Sequence, residues 1–198
     1  MALLVALRVS LVTLVLTGLA YPLAVTGLGQ LLFPARASGS LASDLQGRIV
    51  GSERIGQAFT RAYYFHPRPS AAGDQGWDAA ASGGSNLGPT SEKLRERIAA
   101  TRARLELENP DAPRPVPEEL LTTSGSGLDP DISPQAARWQ VARVAKARGV
   151  SAARVRQIVD SLVEDRDLGF LGEPRVDVLM LNLAMDRDLG RELGQAGE

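Results

Sequence analysis

Residues 9–35 read VSLVTLVLTGLAYPLAVTGLGQLLFPA, an uninterrupted run of 27 residues without a formal charge, bounded by Arg8 and Arg36. A helix needs roughly 20 mostly apolar residues to cross a bilayer, so the run predicts a single membrane anchor over residues 9–34. Two other readings compete with it. Ala35-Arg36-Ala37 offers the small residues of a signal-peptide cleavage site, but the apolar core of a signal peptide covers only about 7–15 residues. A buried core helix is the other. Within the run, Pro22 removes a backbone donor and is expected to kink the helix. Gly18 and Gly27, with Gly29, offer close approach to another helix, and the hydroxyl of Tyr21 lies mid-span where a protein partner suits it better than lipid. With one basic side chain on each flank, charge says little about orientation. A short N-terminal tail before one anchor most simply leaves the rest of the chain outside the cytoplasm. No second apolar run of spanning length follows, so the chain is expected to cross once.

The composition removes several function classes. Twenty-three acidic residues nearly balance 22 Lys and Arg, and aromatic residues make up 5% of the 198. There is thus no broad positive field for nucleic acid and little to stack on bases. Cysteine is absent, which excludes disulfides, thiol nucleophiles, iron–sulfur clusters and Cys-type zinc sites. One histidine, His66, cannot build a histidine-rich metal centre, and no metal ligand set is expected.

Beyond the anchor, the chain divides into a Gly/Ser-rich linker over 35–46, a soluble α+β domain over 47–186 and a polar tail over 187–198, with residues 1–8 as a short N-terminal tail. Residues 47–52 (GRIVGS) predict a short strand, and residues 53–65 (ERIGQAFTRAYYF) a short helix. Residues 67–89, rich in Gly, Ala, Ser and Pro, predict a loop long enough to suggest a role. Ser91 or Thr90 caps a helix whose stripe is Leu94, Ile98, Thr101 and Leu105. Pro110, Pro113, Pro115 and Pro117 impose a stiff extended crossing. Residues 128–133 (LDPDIS) read as a turn. Ser133 as cap and Pro134 as first residue predict a helix ending at Gly149, and Ser151 opens another with Val155, Ile158, Val159, Leu162 and Val163 inward. The β-branched, apolar start of residues 175–186 (RVDVLMLNLAMD) predicts a buried strand over Val176–Leu183, paired with Ile49–Val50. The fold class is therefore α+β: a small mixed helix/sheet domain on one membrane helix, expected to be extracytoplasmic.

Four stretches are candidate sites. In ASGGSNLG, the residues Ser82, Gly83, Gly84, Ser85 and Asn86 precede a helix, where backbone amides can hold an anion. The core SGGSN loosely resembles the signature loop of ABC-type ATPases, yet the glutamine of that loop is missing. It reads as a phosphate contact, a partner contact or a glycine turn. In YFHPRPS, two prolines stiffen Arg68 for carboxylate recognition, with Tyr64 and Phe65 packed beneath. Asp129 and Asp131 are too few for a calcium cage. On the helix after Pro134, Ala137, Val141 and Val144 form one stripe. Trp139, Gln135, Ala142 and Lys146 fall opposite, so Trp139 is either buried on a second face or the centre of a partner surface. The six basic residues from Arg138 to Arg156 suggest a solvated face, or a contact with lipid headgroups or with an acidic rim on a partner.

The motifs YPLAVTGLGQLLFP, GSERIGQAF, YFHPRPS, ASGGSNLG, SGSGLDPDISPQAA and RVAKARGV occur in this order. Together they resemble the C subunit of the bacterial Kdp-type potassium-transporting P-type ATPase, over most of the chain from Tyr21 to Val150. VDVLMLNLAMD fits as well, while the tail after Asp186 carries no matching motif. The resemblance implies a single-span, non-catalytic accessory subunit of an ATP-driven potassium uptake complex in the bacterial inner membrane. Its partners would be a channel-like, potassium-binding subunit and an ATP-hydrolysing P-type subunit. ATP and potassium would be met through the complex, with no cofactor bound by this chain alone. The role would be stabilisation of the complex. One alternative is a catalytic chaperone that contacts nucleotide directly to raise ATP affinity; another is an envelope sensor or binding protein on a simple anchor. Neither a P-loop nor the D-K-T-G phosphorylation motif of a pump is present, and one histidine leaves no choice of base for a Ser-His-Asp constellation.

Overall fold

The computed structural model describes residues 1–190 and divides the chain into two compact units, one over Met1–Leu41 and one beginning at Ala42.

The first unit is an apolar helix. It begins as α1 (Ala2–Val15), ahead of Arg8, passes through a π-helical turn at Leu16–Ala20, and continues as α2 (Tyr21–Leu32). Together Ala2–Leu32 is long and apolar enough to cross a membrane. The π turn explains how helix continues through Pro22. Proline has no N–H to return to the Gly18 carbonyl, and a wider turn absorbs the mismatch. Thr17 Oγ1 donates to the Thr13 carbonyl at 2.8 Å, so that hydroxyl is satisfied within the helix. Among the described residues, none would touch a Cβ placed at Gly27 or Gly29. A four-residue helix, α3 (Pro34–Ala37), follows.

The second unit is α+β, with far less sheet than helix. β1 (Leu41–Ser43) pairs with β2 (Ile49–Ser52). α4 (Glu92–Glu108) is capped by Ser91, whose Oγ accepts from the Leu94 amide. Leu105 is buried beneath it, and Leu94, Ile98 and Thr101 are half-buried. α5 (Pro134–Arg148) starts at the Ser133 cap and stops at Gly149, which takes the left-handed conformation (φ 69°). Ser151 caps α6 (Ala152–Ser161), which turns Val155, Ile158 and Val159 into the core.

Three expectations fail. Residues 53–65 form no helix; they run as turns and extended backbone. Residues 128–133 are not simply a turn, because β3 (Asp131–Ile132) lies inside them. The strand predicted over Val176–Leu183 is real for two residues only. β4 (Val176–Asp177) pairs antiparallel with β3, Asp131 facing Asp177 and Ile132 facing Val176, not with Ile49–Val50. The chain then becomes α7 (Val178–Leu189), capped by Asp177 Oδ1, which accepts from the Met180 amide at 2.7 Å. The β-branched Val176 and Val178 suggested strand, but Leu, Met and Ala follow them. Their buried members, Val178, Leu181 and Met185, recur at three and four, the period of a helix face. α7 also runs through residues 187–189 of the stretch read as polar tail; the remainder, 191–198, lies outside the described residues.

The core of this unit gathers α5, α6 and α7 with Phe59, Tyr64, Phe65, Val116, Leu120, Leu121 and Ile132. Across it lie residues 61–69, a turn at 61–64 followed by extended backbone outside any strand. Side chains satisfy much of its backbone. Gln140 on α5 accepts from the His66 amide (2.8 Å) and donates to the His66 carbonyl (2.9 Å). Asn182 on α7 does the same for Phe65, at 2.8 and 3.0 Å. Arg143 donates to the carbonyls of Ala62 and Tyr64, to Asn109 and to Gln140. Arg148 donates to the Tyr63 and Met185 carbonyls and pairs with Asp186 at 2.7 Å. Buried peptide groups must find such partners, and here two helices provide what a neighbouring strand usually would.

Candidate functional site

That laced segment delivers Arg68 and Ser70 to an edge where four loops meet. Ser70 Oγ donates to the Gly127 carbonyl at 2.6 Å and accepts from the amides of Ala72 (3.1 Å) and Trp77 (2.8 Å). Arg68 Nη1 lies 3.2 Å from Asp129 Oδ2. The Gly56 amide donates to the Leu128 carbonyl at 2.8 Å, and the Gly83 amide to the Ser126 carbonyl at 2.8 Å. The motifs GSERIGQAF, YFHPRPS, ASGGSNLG and SGSGLDPD, scattered over the sequence, are thus neighbours.

Glycine is required where these loops touch. A Cβ at Gly127 (φ +69°) would stand 2.5 Å from the Gly83 carbonyl oxygen and 2.8 Å from the Ala72 nitrogen. One at Gly56 would stand 2.5 Å from the Asp129 carbonyl oxygen and 2.8 Å from the Trp77 ring. Neither approach is compatible with a side chain.

The predicted site residues separate into two groups. Ser82, Gly83, Gly84, Ser85, Asn86 and Arg68 lie at the loop edge. Ser82 Oγ donates to the Ser126 carbonyl at 3.0 Å and Ser85 Oγ accepts from Arg97 at 3.1 Å. Asn86 takes a left-handed φ of 51°. The Ser82 hydroxyl and Gly83 amide are therefore engaged in building the loop edge, and Ser85 ties it to α4. Tyr64 is buried instead, its hydroxyl donating to Asp186 at 2.8 Å. Burial, then that hydrogen bond, holds the phenol proton well above the ordinary tyrosine range.

Trp139 is not a partner surface. It is 4% exposed, and its indole N–H donates to the Pro113 carbonyl at 2.7 Å. The proline-rich crossing covers it, so α5 is buried on two faces, while Gln135 and Lys146 stay exposed. Nor is the basic run one face: Arg143 and Arg148 are buried, Arg138 pairs with Asp160 and Lys146 lies near Asp111. Gly18, Tyr21, Pro22 and Gly27 all lie on the exposed surface of the apolar helix.

His66 lines a cleft of about 160 Å³ with Phe59, Arg68, Trp77, Arg104 and Gln140. Burial, then the Arg143 charge, lowers its pKa to about 4, so it is neutral at neutral pH. Asp177 is pushed the other way, to about 6, by burial and then by the charges of Asp131 and Glu53. Arg143, lowered by burial to about 10, remains charged. Sequence reasoning missed Gln140, Arg143, Arg148 and Asn182. Their signal was available: polar residues on the inward faces of otherwise apolar helices.

The sequence profile of the family KdpC, K+-transporting ATPase c chain, matches residues 3–187. A potassium-transporting ATPase KdpC subunit of Myxococcus xanthus is 67% identical over 187 residues, covering 94% of this chain and 88% of that protein. Those of Methylobacterium nodulans and Caulobacter vibrioides are each 55% identical, covering 89% and 87% of this chain and 92% and 86% of their own lengths.

Proposed function

The chain belongs to the KdpC family of K+-transporting ATPase c chains, and from that membership we propose that it is a non-catalytic subunit that stabilises the potassium uptake complex and supports ATP use by its catalytic subunit. The apolar helix packs among partner spans in the inner membrane. The folded unit stands outside the cytoplasm, against the channel-like subunit and the outer face of the P-type subunit. Its effect on ATP then passes through the complex, because a partner biases a conformational equilibrium only by contacting its states unequally.

One observation supports this reading best. The loop that most suggested phosphate binding has its Gly83 amide and Ser82 hydroxyl bonded to one carbonyl, that of Ser126. A phosphate cradle needs such donors aimed outward. A loop with these two donors turned inward suits a contact surface better than a phosphate cradle.

The test is to purify the pump subunits with and without this chain and measure recovery and potassium-stimulated ATP hydrolysis. Loss of the chain should lower both by about tenfold or more, as for removal of a principal interface. Unchanged recovery and hydrolysis would overturn the proposal. ATP binding by the purified chain alone would favour the chaperone alternative.

A further inference from the structure

Between α6 and β4 the chain makes a small hairpin that supports nothing in the core. Glu164 and Arg175 exchange backbone hydrogen bonds, both 2.9 Å, as do Asp167 and Leu171. Side chains reinforce the neck. Arg166 pairs with Glu173 at 2.7 Å, and Arg175 lies 2.9 Å from Glu164, 3.6 Å from Asp131 and 3.7 Å from Asp167. This ordered neck carries an apolar tip: Leu168 is 83% exposed, Phe170 68% and Leu171 49%. Leu168 takes a φ of 54°, between the neck and Gly169 at 83°. A leucine in that conformation is unfavourable by roughly 1 kcal/mol, and the turn is closed by the Gly169 amide on the Arg166 carbonyl at 3.0 Å.

We propose that this tip, centred on Phe170, is a docking knob that inserts into an apolar cleft on another protein subunit of the same ATPase complex. The inference rests on the subunit reading above. Rigid, exposed aromatic groups on a preorganised support are the usual anchors of protein interfaces. The charge around the tip selects against the other occupant of an apolar knob, an anionic membrane. Glu164, Asp165, Asp167 and Glu173 surround it with only Arg166 and Arg175, and both arginines are engaged by carboxylates. Membrane-surface segments need the opposite sign. The cleft that the tip fits is apolar at the centre with a neutral or basic rim.

The experiment uses the intact complex. Because the chain has no cysteine, Phe170→Cys can carry a maleimide-benzophenone probe, with Arg102→Cys on the exposed face of α4 as control. The knob predicts a cross-link from position 170, well above the control, to an identified pump subunit. Cross-linking to lipid, to a second copy, or only at the control level overturns it. In parallel, Phe170→Asp should lower recovery of pump subunits about tenfold without changing the melting temperature of the purified chain; full recovery overturns the knob. If the wild-type chain recovers no pump subunit, the subunit reading itself fails and takes the knob with it. If wild type and Phe170→Asp recover subunits equally, only the knob fails.

Discussion

Gly127 shows how much of this molecule turns on single atoms. Gly127→Ala places a methyl against the Gly83 carbonyl and the Ala72 nitrogen in a left-handed backbone, and should lower stability by roughly 2–4 kcal/mol in denaturant unfolding. A sequence shows that a glycine is present, but the collision that demands it lies across 44 residues of chain and was not legible. Two titrations give opposite signs. His66 has a folded pKa near 4 against an ordinary 6.5, so the unfolded state binds the proton first. Its neutral burial favours folding above pH 6.5, and this is lost as pH falls from 6.5 towards 4, by roughly 2 kcal/mol. His66→Gln should lose that much less stability between pH 7 and pH 4.5. Asp177, raised to about 6, disfavours folding at neutral pH and releases that cost as pH falls below 6. Asp177→Asn keeps a helix-capping side chain and should raise stability at pH 7 by about 1 kcal/mol after allowance for solvent screening. The gain should vanish near pH 4; a gain that persists there would contradict the assignment.

At the scale of elements, α4, α5 and α6 were legible because each pairs a serine cap with a 3.6-residue stripe, and α5 ends on a glycine. α7 was not, because β-branched Val176 and Val178 flank its cap, Asp177, which is also a strand residue. The segment 61–69 was illegible for another reason. It has no period of its own, and its order comes from Gln140, Asn182, Arg143 and Arg148 on distant helices. Asn182→Leu leaves the Phe65 amide and carbonyl buried without partners, and should cost roughly 2–4 kcal/mol. Hydrogen exchange should show the Phe65 amide losing protection before α5 does. Trp139→Ala should lower stability by about 3–5 kcal/mol through loss of a buried indole. Removal of a partner contact alone would leave the unfolding midpoint of the purified chain unchanged.

For the whole molecule, the sequence made the long apolar helix plain and the family recognisable, since charge-free length and motif order need no tertiary information. Convergence of the four loop motifs on one edge, and burial of Trp139 beneath the prolines, required the fold. Gly27→Leu fills a side of the apolar helix that no described residue covers. If the span packs among partner helices, it should reduce recovery of the complex several-fold while leaving the chain inserted. Orientation governs the rest, because a folded unit outside the cytoplasm acts on ATP use only through its partners. The most direct measurement is labelling of single cysteines, Gln75→Cys in the folded unit and Ala2→Cys at the other end of the span, by a thiol reagent that cannot cross the inner membrane. In cells with that membrane intact, position 75 should label and position 2 should label only after lysis. Labelling of position 75 only after lysis would place the folded unit with the nucleotide and contradict the account.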